Sequence, residues 1–210
     1  PSKIRKYNID VAHFQYISPV IKDCYEVLTI HDLLFMDFPH YFPSNYKLTK
    51  NYLFERSARR ADCVTTVSGY SKEALVRHYK VAEDKIAVTP NGVLDLYWEN
   101  SERLIDIRTK YGVSQFILCV SRFEPRKNQV GLLKAYCELK LWKQEIQLIF
   151  IGSLGIASFE FTKLYNSLDQ KIRSQIIILE DINFEELKAF YSTCLLFVYP
   201  SFAEGFGIPP

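Results

Sequence analysis

Three cations stand close together in one short loop, Ser121–Asn128, and this loop carries the strongest signal for chemistry in the chain. Arg122, Arg126 and Lys127 follow an apolar run and precede an amphipathic segment, the pattern of a strand, a loop and a helix. Free N–H groups at a helix start attract phosphate, while arginine offers a two-pronged donor and lysine a mobile point charge. The loop therefore predicts a phosphate site. A solvated loop in which Arg122 pairs with Glu124 is an equally open interpretation.

A glutamate beside aromatic residues occupies the second candidate loop, Pro200–Pro209. Glu204 precedes Gly205, Phe206 and Gly207, and glycines at this spacing let the backbone approach a ligand closely. The Glu204 carboxylate could accept hydrogen bonds from sugar hydroxyls. The alternative is a tight turn in which Glu204 is an acid at a helix start.

Two further polar pairs follow apolar runs. His31 could donate a hydrogen bond or carry a proton, and Asp32 could orient it or cap the next segment. A purely structural histidine at a strand end is the open alternative, and His13 is a weaker candidate. Asn91 and Gly92 indicate a turn that could also line a crevice between two units.

The elements that must position these residues follow an alternating pattern. Short apolar runs without polar alternation, separated by amphipathic segments, predict an α/β fold with parallel sheets covered on both faces. Ser71 and Asn183 are predicted caps of two of the helices. The predicted strands are Ile9–Phe14, Tyr25–Ile30, Cys63–Val67, Ile86–Thr89, Phe116–Val120, Gln147–Ile151, Ile176–Leu179 and Leu195–Tyr199, and the predicted helices are Tyr46–Ala61, Ser71–Tyr79, Gln129–Leu141, Glu160–Leu168 and Phe184–Ser192.

The alternation breaks once, between Leu94 and Val113, where a charged stretch contains no convincing strand. This break predicts a first domain over 1–100, a linker over 101–113 and a second domain over 114–210. In open α/β sheets ligands bind beyond the carboxyl ends of strands. This rule selects six loops that follow predicted strands, namely His31–Asp32, Ser68–Gly69, Pro90–Gly92, Ser121–Asn128, Gly152–Gly155 and Pro200–Gly207.

Composition excludes several classes of function. The formal charge of +2 and the absence of long runs of like charge argue against nucleic-acid binding. Five dispersed cysteines without metal-type spacing predict buried, reduced thiols and a cytosolic protein. Gly152–Gly155 is only a weak glycine signal, since no phosphate-binding loop of the kinase type and no dinucleotide motif occurs. The basic cluster Arg56–Arg60 predicts a solvated helix face, with contact to anionic lipid as the alternative.

Taken together and in order, five segments resemble the retaining glycosyltransferases of family 4, which have the two-domain GT-B fold. The resembling segments are Thr29–Leu33, Val67–Ser71, Lys85–Val93, Val120–Asn128 and Tyr199–Pro209.

The resemblance implies roles for the residues of the second domain. Arg122 and Lys127 match the pair that binds the donor diphosphate, and Glu204 matches the first glutamate of a paired motif that contacts the donor sugar. Gly205–Gly207, including Phe206, match a loop whose backbone lies near the sugar and the phosphate. The second glutamate of the motif would fall eight positions later, beyond Pro210.

In the first domain, the resemblance implies that His31 faces the sugar across the cleft and that Asn91 and Gly92 lie near it. The family's first strand and glycine-rich loop would precede Pro1, so we expect this chain alone to be inactive.

The implied reaction moves a hexose, with mannose favoured, from a nucleotide-diphosphate sugar to a glycan or lipid-linked acceptor with retention of configuration. Surface polysaccharide or lipopolysaccharide assembly is the implied pathway, at a cytoplasmic location with peripheral contact to the inner membrane. No cofactor and no metal are expected, because Arg122 and Lys127 would neutralise the leaving group. The alternatives are a GT-B epimerase or phosphorylase, and a noncatalytic sugar-nucleotide binding protein.

Overall fold

The computed structural model describes residues 2–93, 105–154 and 158–209, and the chain divides into two compact units. The first comprises Pro1–Gly92 together with the distant segment Ala203–Ile208. The second comprises Val93–Phe202 with Pro209–Pro210. The sequence had placed residues 203–208 in the second domain, so this return of the chain to the first unit is a feature that only the structure supplies.

The first unit contains a parallel sheet of four strands in the order β1-β2-β3-β4. Its strands are β1 (Val11–Gln15), β2 (Tyr25–Thr29), β3 (Cys63–Thr66) and β4 (Ile86–Val88), and its helices are α1 (Ser2–Lys6), α2 (Leu34–Asp37), α3 (Ser44–Arg60) and α4 (Gly69–Tyr79). Because all four strands run in the same direction, the turns that follow β2, β3 and β4 lie along one edge of the sheet.

Helix α3 shares a hydrophobic core with strands β2 and β3. Ala58 is fully buried, and Phe54 is buried with its ring edge-on to Phe35 at 5.9 Å between centroids. Leu28 and Ile30, at the carboxyl end of β2, belong to the same core. The turn after β2 is therefore anchored in well-packed apolar residues.

The cap of α4 lies three residues earlier than predicted. Ser68, not Ser71, is the cap residue, and its Oγ accepts a hydrogen bond from the Ser71 backbone N–H at 3.2 Å. The sequence offers two serines in this segment, and the helix begins at Gly69, so Ser71 lies inside the first turn, where it is buried.

A cluster of polar side chains joins α2 to α4. The Asp37 carboxylate accepts hydrogen bonds from Tyr70 Oη at 2.7 Å and Arg77 Nη2 at 2.8 Å, and lies 2.6 Å from His78 Nε2. Burial raises the pKa of Asp37, but the hydrogen bonds from His78, Tyr70 and Arg77 outweigh it, so the pKa lies below its ordinary value of 3.8. Burial and the bond to Asp37 raise the pKa of Tyr70 to about 12. The cluster fixes the separation of the two helices.

The second unit contains another parallel sheet, in the order β7-β6-β5-β8. Its strands are β5 (Gln115–Val120), β6 (Ile146–Ile151), β7 (Ile176–Leu179) and β8 (Leu196–Phe197), and its helices are α5 (Ile107–Tyr111), α6 (Gln129–Glu138), α7 (Phe159–Ser167), α8 (Gln170–Arg173) and α9 (Phe184–Thr193). Phe123, Phe150 and Phe161 form the core on one face, whereas Phe116 and Phe190 pack edge-on in the core on the other. The predicted α/β class with parallel sheets covered on both faces is confirmed.

The structure differs from the predicted linker over 101–113, of which residues 101–104 lie outside the described part. Helix α5 forms there because Asp106 accepts hydrogen bonds from the backbone N–H groups of Arg108 and Thr109. Its Ile107 is buried in the core of the second unit, as is Val113. Because this stretch is rich in charged residues, its sequence does not identify these two residues as part of the core.

The ends of several other elements also differ from the sequence prediction, with β8 and α6 among the largest differences. Strand β8 has two residues rather than the five of Leu195–Tyr199, and α6 ends at Glu138 before a 3-10 turn at Leu141–Gln144. The predicted cap Asn183 is confirmed, since its side chain accepts from the Glu186 backbone while Glu186 bonds back to the Asn183 N–H. Glu186 also accepts hydrogen bonds from Lys110 and Tyr111 and so ties α9 to α5.

We predict that Asp37→Asn lowers the free energy of unfolding by about 1–3 kcal/mol at pH 7, because it removes the charge that three donors share. The folded pKa of Asp37 lies below 3.8, so this stabilisation is complete above that value and is lost as the pH falls through the folded pKa. Urea unfolding at pH 7 and pH 3 measures it. The difference in unfolding free energy between variant and wild type should be smaller at pH 3 than at pH 7. An equal difference at both pH values would contradict a lowered pKa for Asp37. Glu83→Gln, in the exposed pair with Lys72, is the matched control and should have a smaller effect.

Candidate functional site

The Ser121–Asn128 loop leaves β5 and is fixed by its own uncharged residues. Phe123 is buried, and its backbone N–H donates to the Ser153 carbonyl at 3.2 Å. The buried Gln129 amide donates to Ser121 Oγ and to the Arg122 carbonyl, both at 2.8 Å. The backbone of the loop is therefore held from both sides. These contacts fix the backbone positions from which the three cationic side chains extend.

Lys127 is the buried cation of this loop, with 9% of its surface exposed. Its Nζ donates to Tyr199 Oη at 2.8 Å and lies 5.1 Å from the centroid of the same ring. An ammonium group loses hydration on burial, so such contacts are needed to hold it in place. Tyr199 comes from the segment after β8, so two loops of the second unit together orient this cation.

Arg122 and Arg126 have different environments. Arg126 Nη2 lies 3.0 Å from Glu124 Oε2, whereas Arg122 Nε is 3.9 Å from the other oxygen, and the Arg122 side chain is 78% exposed. The pairing of Glu124 with Arg122 that the sequence left open is thus secondary to its pairing with Arg126. Arg122 extends into solvent, where it can move toward an anion.

The start of α6 is already capped by its own chain. Asn128 has a left-handed backbone, with φ of +57°, and its Oδ1 accepts from the Gly131 N–H at 3.2 Å. The Asn128 side chain therefore already binds one of the N–H groups at the helix start that the sequence predicts for phosphate. The support for a phosphate site in this loop then comes from its three cations. Asn128 Nδ2 also donates to the Pro200 carbonyl at 3.3 Å, and the Phe202 N–H donates to the Arg126 carbonyl at 2.8 Å.

Close packing against the cationic loop requires a glycine at position 152, directly after β6. Its φ is +150°, and a Cβ at this position would overlap the carbonyl oxygen of Ser121. The chain after β6 thus passes directly against the start of the cationic loop. The weak glycine signal of the sequence marks close packing of two loops, and Gly155 lies outside the described residues.

In the first unit, His31 and Asp32 form the turn after β2. His31 is half-buried, its ring centroid is 5.6 Å from that of Tyr16, and its carbonyl accepts from Thr66 Oγ1 at 3.5 Å. Asp32 Oδ1 accepts from the Leu34 N–H at 3.2 Å, at the first residue of α2, whereas the cap position itself is Leu33, whose side chain makes no capping bond.

The Ala203–Ile208 segment lies against this turn and the next one. The Gly205 carbonyl accepts a hydrogen bond from Ser68 Oγ at 2.7 Å. A Cβ on Gly205 would stand 2.9 Å from both Cβ and Oδ2 of Asp32. Glu204 is half-buried and lies in a loop, not at a helix start, in the chain described up to Pro209. The sequence identifies Ser68 only as part of a loop at the carboxyl end of a strand and does not predict its bond to Gly205.

The remaining candidates have simpler surroundings. Asn91 is half-buried and Gly92 is exposed, with open space where a Cβ would stand. Phe206 is 41% exposed, and Gly207 has φ of +90°. His13 Nε2 lies 2.6 Å from Thr29 Oγ1, within a row of polar side chains across β1, β2 and β3, which is a scaffold role.

The basic cluster on α3 is engaged with neighbouring backbone. Arg56 donates to the Pro19 carbonyl, Arg60 to the Val20 carbonyl and Arg59 to the Tyr79 carbonyl, and Arg59 also pairs with Glu55. These arginines therefore hold loops of their own unit. Among the described helices, none combines the length and apolar character that crossing a membrane requires.

All five cysteines are free thiols, but only Cys119 is fully buried. Burial raises the pKa of Cys119 to about 11, although Ser121 and Lys127 act in the opposite direction. The other four are partly exposed, which corrects the prediction that all are buried. Within the described ranges, no group of three or more His, Cys, Asp or Glu side chains could hold a metal ion.

The structure thus brings the predicted residues together in two groups. In the second unit, Arg122, Arg126 and Lys127 share one loop beside Tyr199. In the first unit, the His31–Asp32 turn meets the Glu204–Gly205 segment. The predicted convergence of both groups on one ligand stays a prediction.

Comparison with known proteins covers both units. The family profile for Glycosyltransferase Family 4 matches residues 1–94, and that for Glycosyl transferases group 1 matches residues 100–210. The O-antigen chain mannosyltransferase RfbU of Salmonella typhimurium is 29% identical over 187 residues, covering 88% of this chain and 48% of that protein. The O-antigen chain mannosyltransferase B of Escherichia coli is 30% identical over 188 residues, covering 87% and 49%. The chain therefore spans about half the length of these relatives.

A solved structure extends the comparison to the fold. The crystal structure of Anabaena Alr3699/HepE in complex with UDP and glucose matches with a TM-score of 0.69 at 21% identity, covering 88% of this chain and 48% of that one. At this identity the likeness shows the fold alone. It confirms the predicted GT-B fold.

We predict that Gly152→Ala lowers the free energy of unfolding by about 2 kcal/mol or more, because the new methyl group meets the Ser121 carbonyl at a backbone angle that side chains disfavour. Gly69→Ala is the matched control, since its Cβ would stand in open space at the first position of α4. It should be neutral or slightly stabilising. Urea denaturation measures the unfolding free energy of both variants. Equal losses in the two variants would refute the close packing of the two loops.

Proposed function

The chain belongs to the glycosyl transferases of family 4 and group 1, and from this membership we propose that the whole protein transfers a hexose from a nucleotide-diphosphate sugar to a glycan or lipid-linked acceptor. The observation that carries the proposal is Lys127, a buried ammonium group oriented by Tyr199 in the loop that also presents Arg122. The epimerase, phosphorylase and noncatalytic alternatives have no observation that favours them.

Lys127 would act on the leaving group. Departure of a nucleoside diphosphate builds negative charge on the β-phosphate oxygens, and a cation that is already in place stabilises this charge without having to reorganise. Partial burial strengthens the interaction because less water screens it. Lys127 meets both conditions, since its Nζ is held by the Tyr199 hydroxyl before any donor arrives.

Arg122 would complement Lys127 through mobility. Its exposed guanidinium, only loosely associated with Glu124, can form two parallel hydrogen bonds to phosphate oxygens when a donor binds. The neutral pair of Glu124 with Arg126 supports this role, because it leaves the Glu124 carboxylate with a closer partner than Arg122.

Glu204 and His31 would contact the sugar. A carboxylate at position 204 can accept hydrogen bonds from sugar hydroxyls, and an imidazole at position 31 can donate one. Gly205, Phe206 and Gly207 would supply backbone close to the sugar and the phosphate, with Asn91 and Gly92 at the margin of the donor site. Transfer with retention of configuration follows the family assignment.

The sugar, the acceptor and the location are proposed from the relatives. Both curated relatives described above are O-antigen chain mannosyltransferases, which supports mannose as the sugar and surface polysaccharide assembly as the pathway. A cytoplasmic location agrees with five free thiols. Peripheral contact with the inner membrane stays a prediction, and the engaged arginines of α3 give it no support.

The test is transfer of labelled sugar by the whole protein from GDP-mannose, with UDP-glucose and ADP-glucose as alternative donors. Incorporation into a lipid-linked glycan acceptor with the α-configuration of the donor preserved supports the proposal. Binding of every donor without transfer would favour a noncatalytic protein. Conversion of the donor sugar to its epimer would replace the transferase assignment.

We predict that Lys127→Met lowers kcat about a hundredfold, since it removes a fixed charge that acts on the leaving group in the transition state. Arg122→Met should lower kcat/KM by a similar factor through both kcat and KM. Steady-state transfer rates measure both effects. Lys134→Met removes the same charge from the exposed face of α6 and is the matched control. A Lys127→Met enzyme as active as this control would remove the main support of the proposal.

We predict that transfer by the whole protein needs no metal ion, because Arg122 and Lys127 would supply the charge that a divalent cation provides elsewhere. Rates measured in excess EDTA should match untreated enzyme. Loss of activity that Mn²⁺ or Mg²⁺ restores would show instead that the cationic loop shares its task with a metal.

A further inference from the structure

Ser68 Oγ makes three polar contacts: two of them together join a helix start to the Glu204 loop, and the third is to Ser71 Oγ at 3.2 Å. Its Oγ accepts from the Ser71 N–H at 3.2 Å as the cap of α4, and donates its proton to the Gly205 carbonyl at 2.7 Å. One hydroxyl supplies one donor and two acceptor positions, so the three contacts are compatible when the Ser71 hydroxyl donates to Ser68 Oγ and the Ser68 proton goes to the Gly205 carbonyl. Ser71 Oγ lies farther from the same carbonyl, at 3.5 Å.

Asp32 restrains the same glycine from the neighbouring turn. Its Cβ and Oδ2 occupy the space into which a side chain at position 205 would project. Asp32 is itself held by the Leu34 N–H at the start of α2. Gly205 is thus fixed on two sides, by hydrogen bonding to Ser68 and by contact with Asp32.

The two restraints are themselves connected by the Asp37 cluster. Asp37 closes α2, which begins directly after the Asp32 turn, and it binds Tyr70 and Arg77 of α4, the helix that Ser68 caps. The turns that carry Asp32 and Ser68 therefore keep a constant separation. A loop placed between two fixed turns has a defined backbone position.

We propose that Ser68 is a positioning residue for Glu204: its hydroxyl fixes the Gly205 carbonyl and thereby sets the direction of the adjacent carboxylate. The proposal rests on the proposed function, in which Glu204 contacts the donor sugar. Displacement of a substrate-contacting group by about 1 Å can cost up to a hundredfold in rate, so loss of the bond should lower kcat more than it raises KM.

The two tasks of Ser68 can be separated by substitution. Ser68→Asp keeps an oxygen that accepts from the Ser71 N–H, because aspartate is as good a cap as serine. At neutral pH it has no proton to donate to the Gly205 carbonyl. Ser68→Thr keeps both the acceptor and the donor. Asn183→Asp introduces the same residue and the same added charge at the cap of α9, which makes it a matched control.

The experiment measures kcat, KM and the melting temperature of the whole protein, together with millisecond hydrogen exchange of peptides covering residues 203–208. Ser68→Asp should melt near the wild type, exchange about tenfold faster in this segment and lose about tenfold in kcat. Ser68→Thr and Asn183→Asp should match the wild type in all four readouts.

Each contrary result has a distinct meaning. Unchanged exchange in Ser68→Asp would overturn the restraint by Ser68, whether or not the wild type transfers a sugar. Faster exchange with unchanged kcat in an active enzyme would overturn the positioning role. A wild type that exchanges slowly in the segment but transfers no sugar would refute the proposed function while leaving the Ser68 restraint intact.

Discussion

Parallel strand pairing is the constraint on which both units depend. Within each sheet every strand runs the same way, so the loops that follow neighbouring strands must share one edge. In the second unit this places the exits of β5, β6 and β8 side by side, which is why Lys127, Gly152 and Tyr199 come from three separate stretches of chain yet lie in one region. In the first unit the same rule places the turns of Asp32 and Ser68 next to each other, and Gly205 contacts both of them.

The chemistry proposed for the second unit depends on a contrast between two cations of one loop. Lys127 is buried and held by Tyr199, whereas Arg122 is largely exposed. A buried charge gives up hydration when the protein folds, and in return it is already oriented when the leaving group develops charge. An exposed guanidinium keeps its hydration and its freedom, which suits the capture of a phosphate group from solvent. The uncharged residues Gln129 and Asn128 make the contrast possible, because they fix the backbone from which both cations extend.

Much of the fold could be predicted because its signals are local. The apolar run Phe116–Val120 and the cap Asn183 each identify their element from a few adjacent residues. Contacts between distant residues could not be predicted in this way. A serine that caps a helix has the same local signature whether or not it also binds Gly205, 137 residues away. Likewise, the stretch containing Ile107 is charged on average, and only the packed core shows that this residue belongs inside it.

Excluded volume and hydrogen bonding act together at both candidate loops, and the two glycines show how. Gly152 has no side chain because the Ser121 carbonyl occupies that space, and Gly205 has none because Asp32 does. At each position a neighbouring loop occupies the space where a Cβ would be, so the two loops lie closer together than any other residue would allow. Hydrogen bonds from Gln129 in one unit and Ser68 in the other then fix the orientation of the closely packed backbone. These two glycines are therefore required by packing within the protein itself, since the contacts that exclude a side chain there are made by the Ser121 carbonyl and by Asp32.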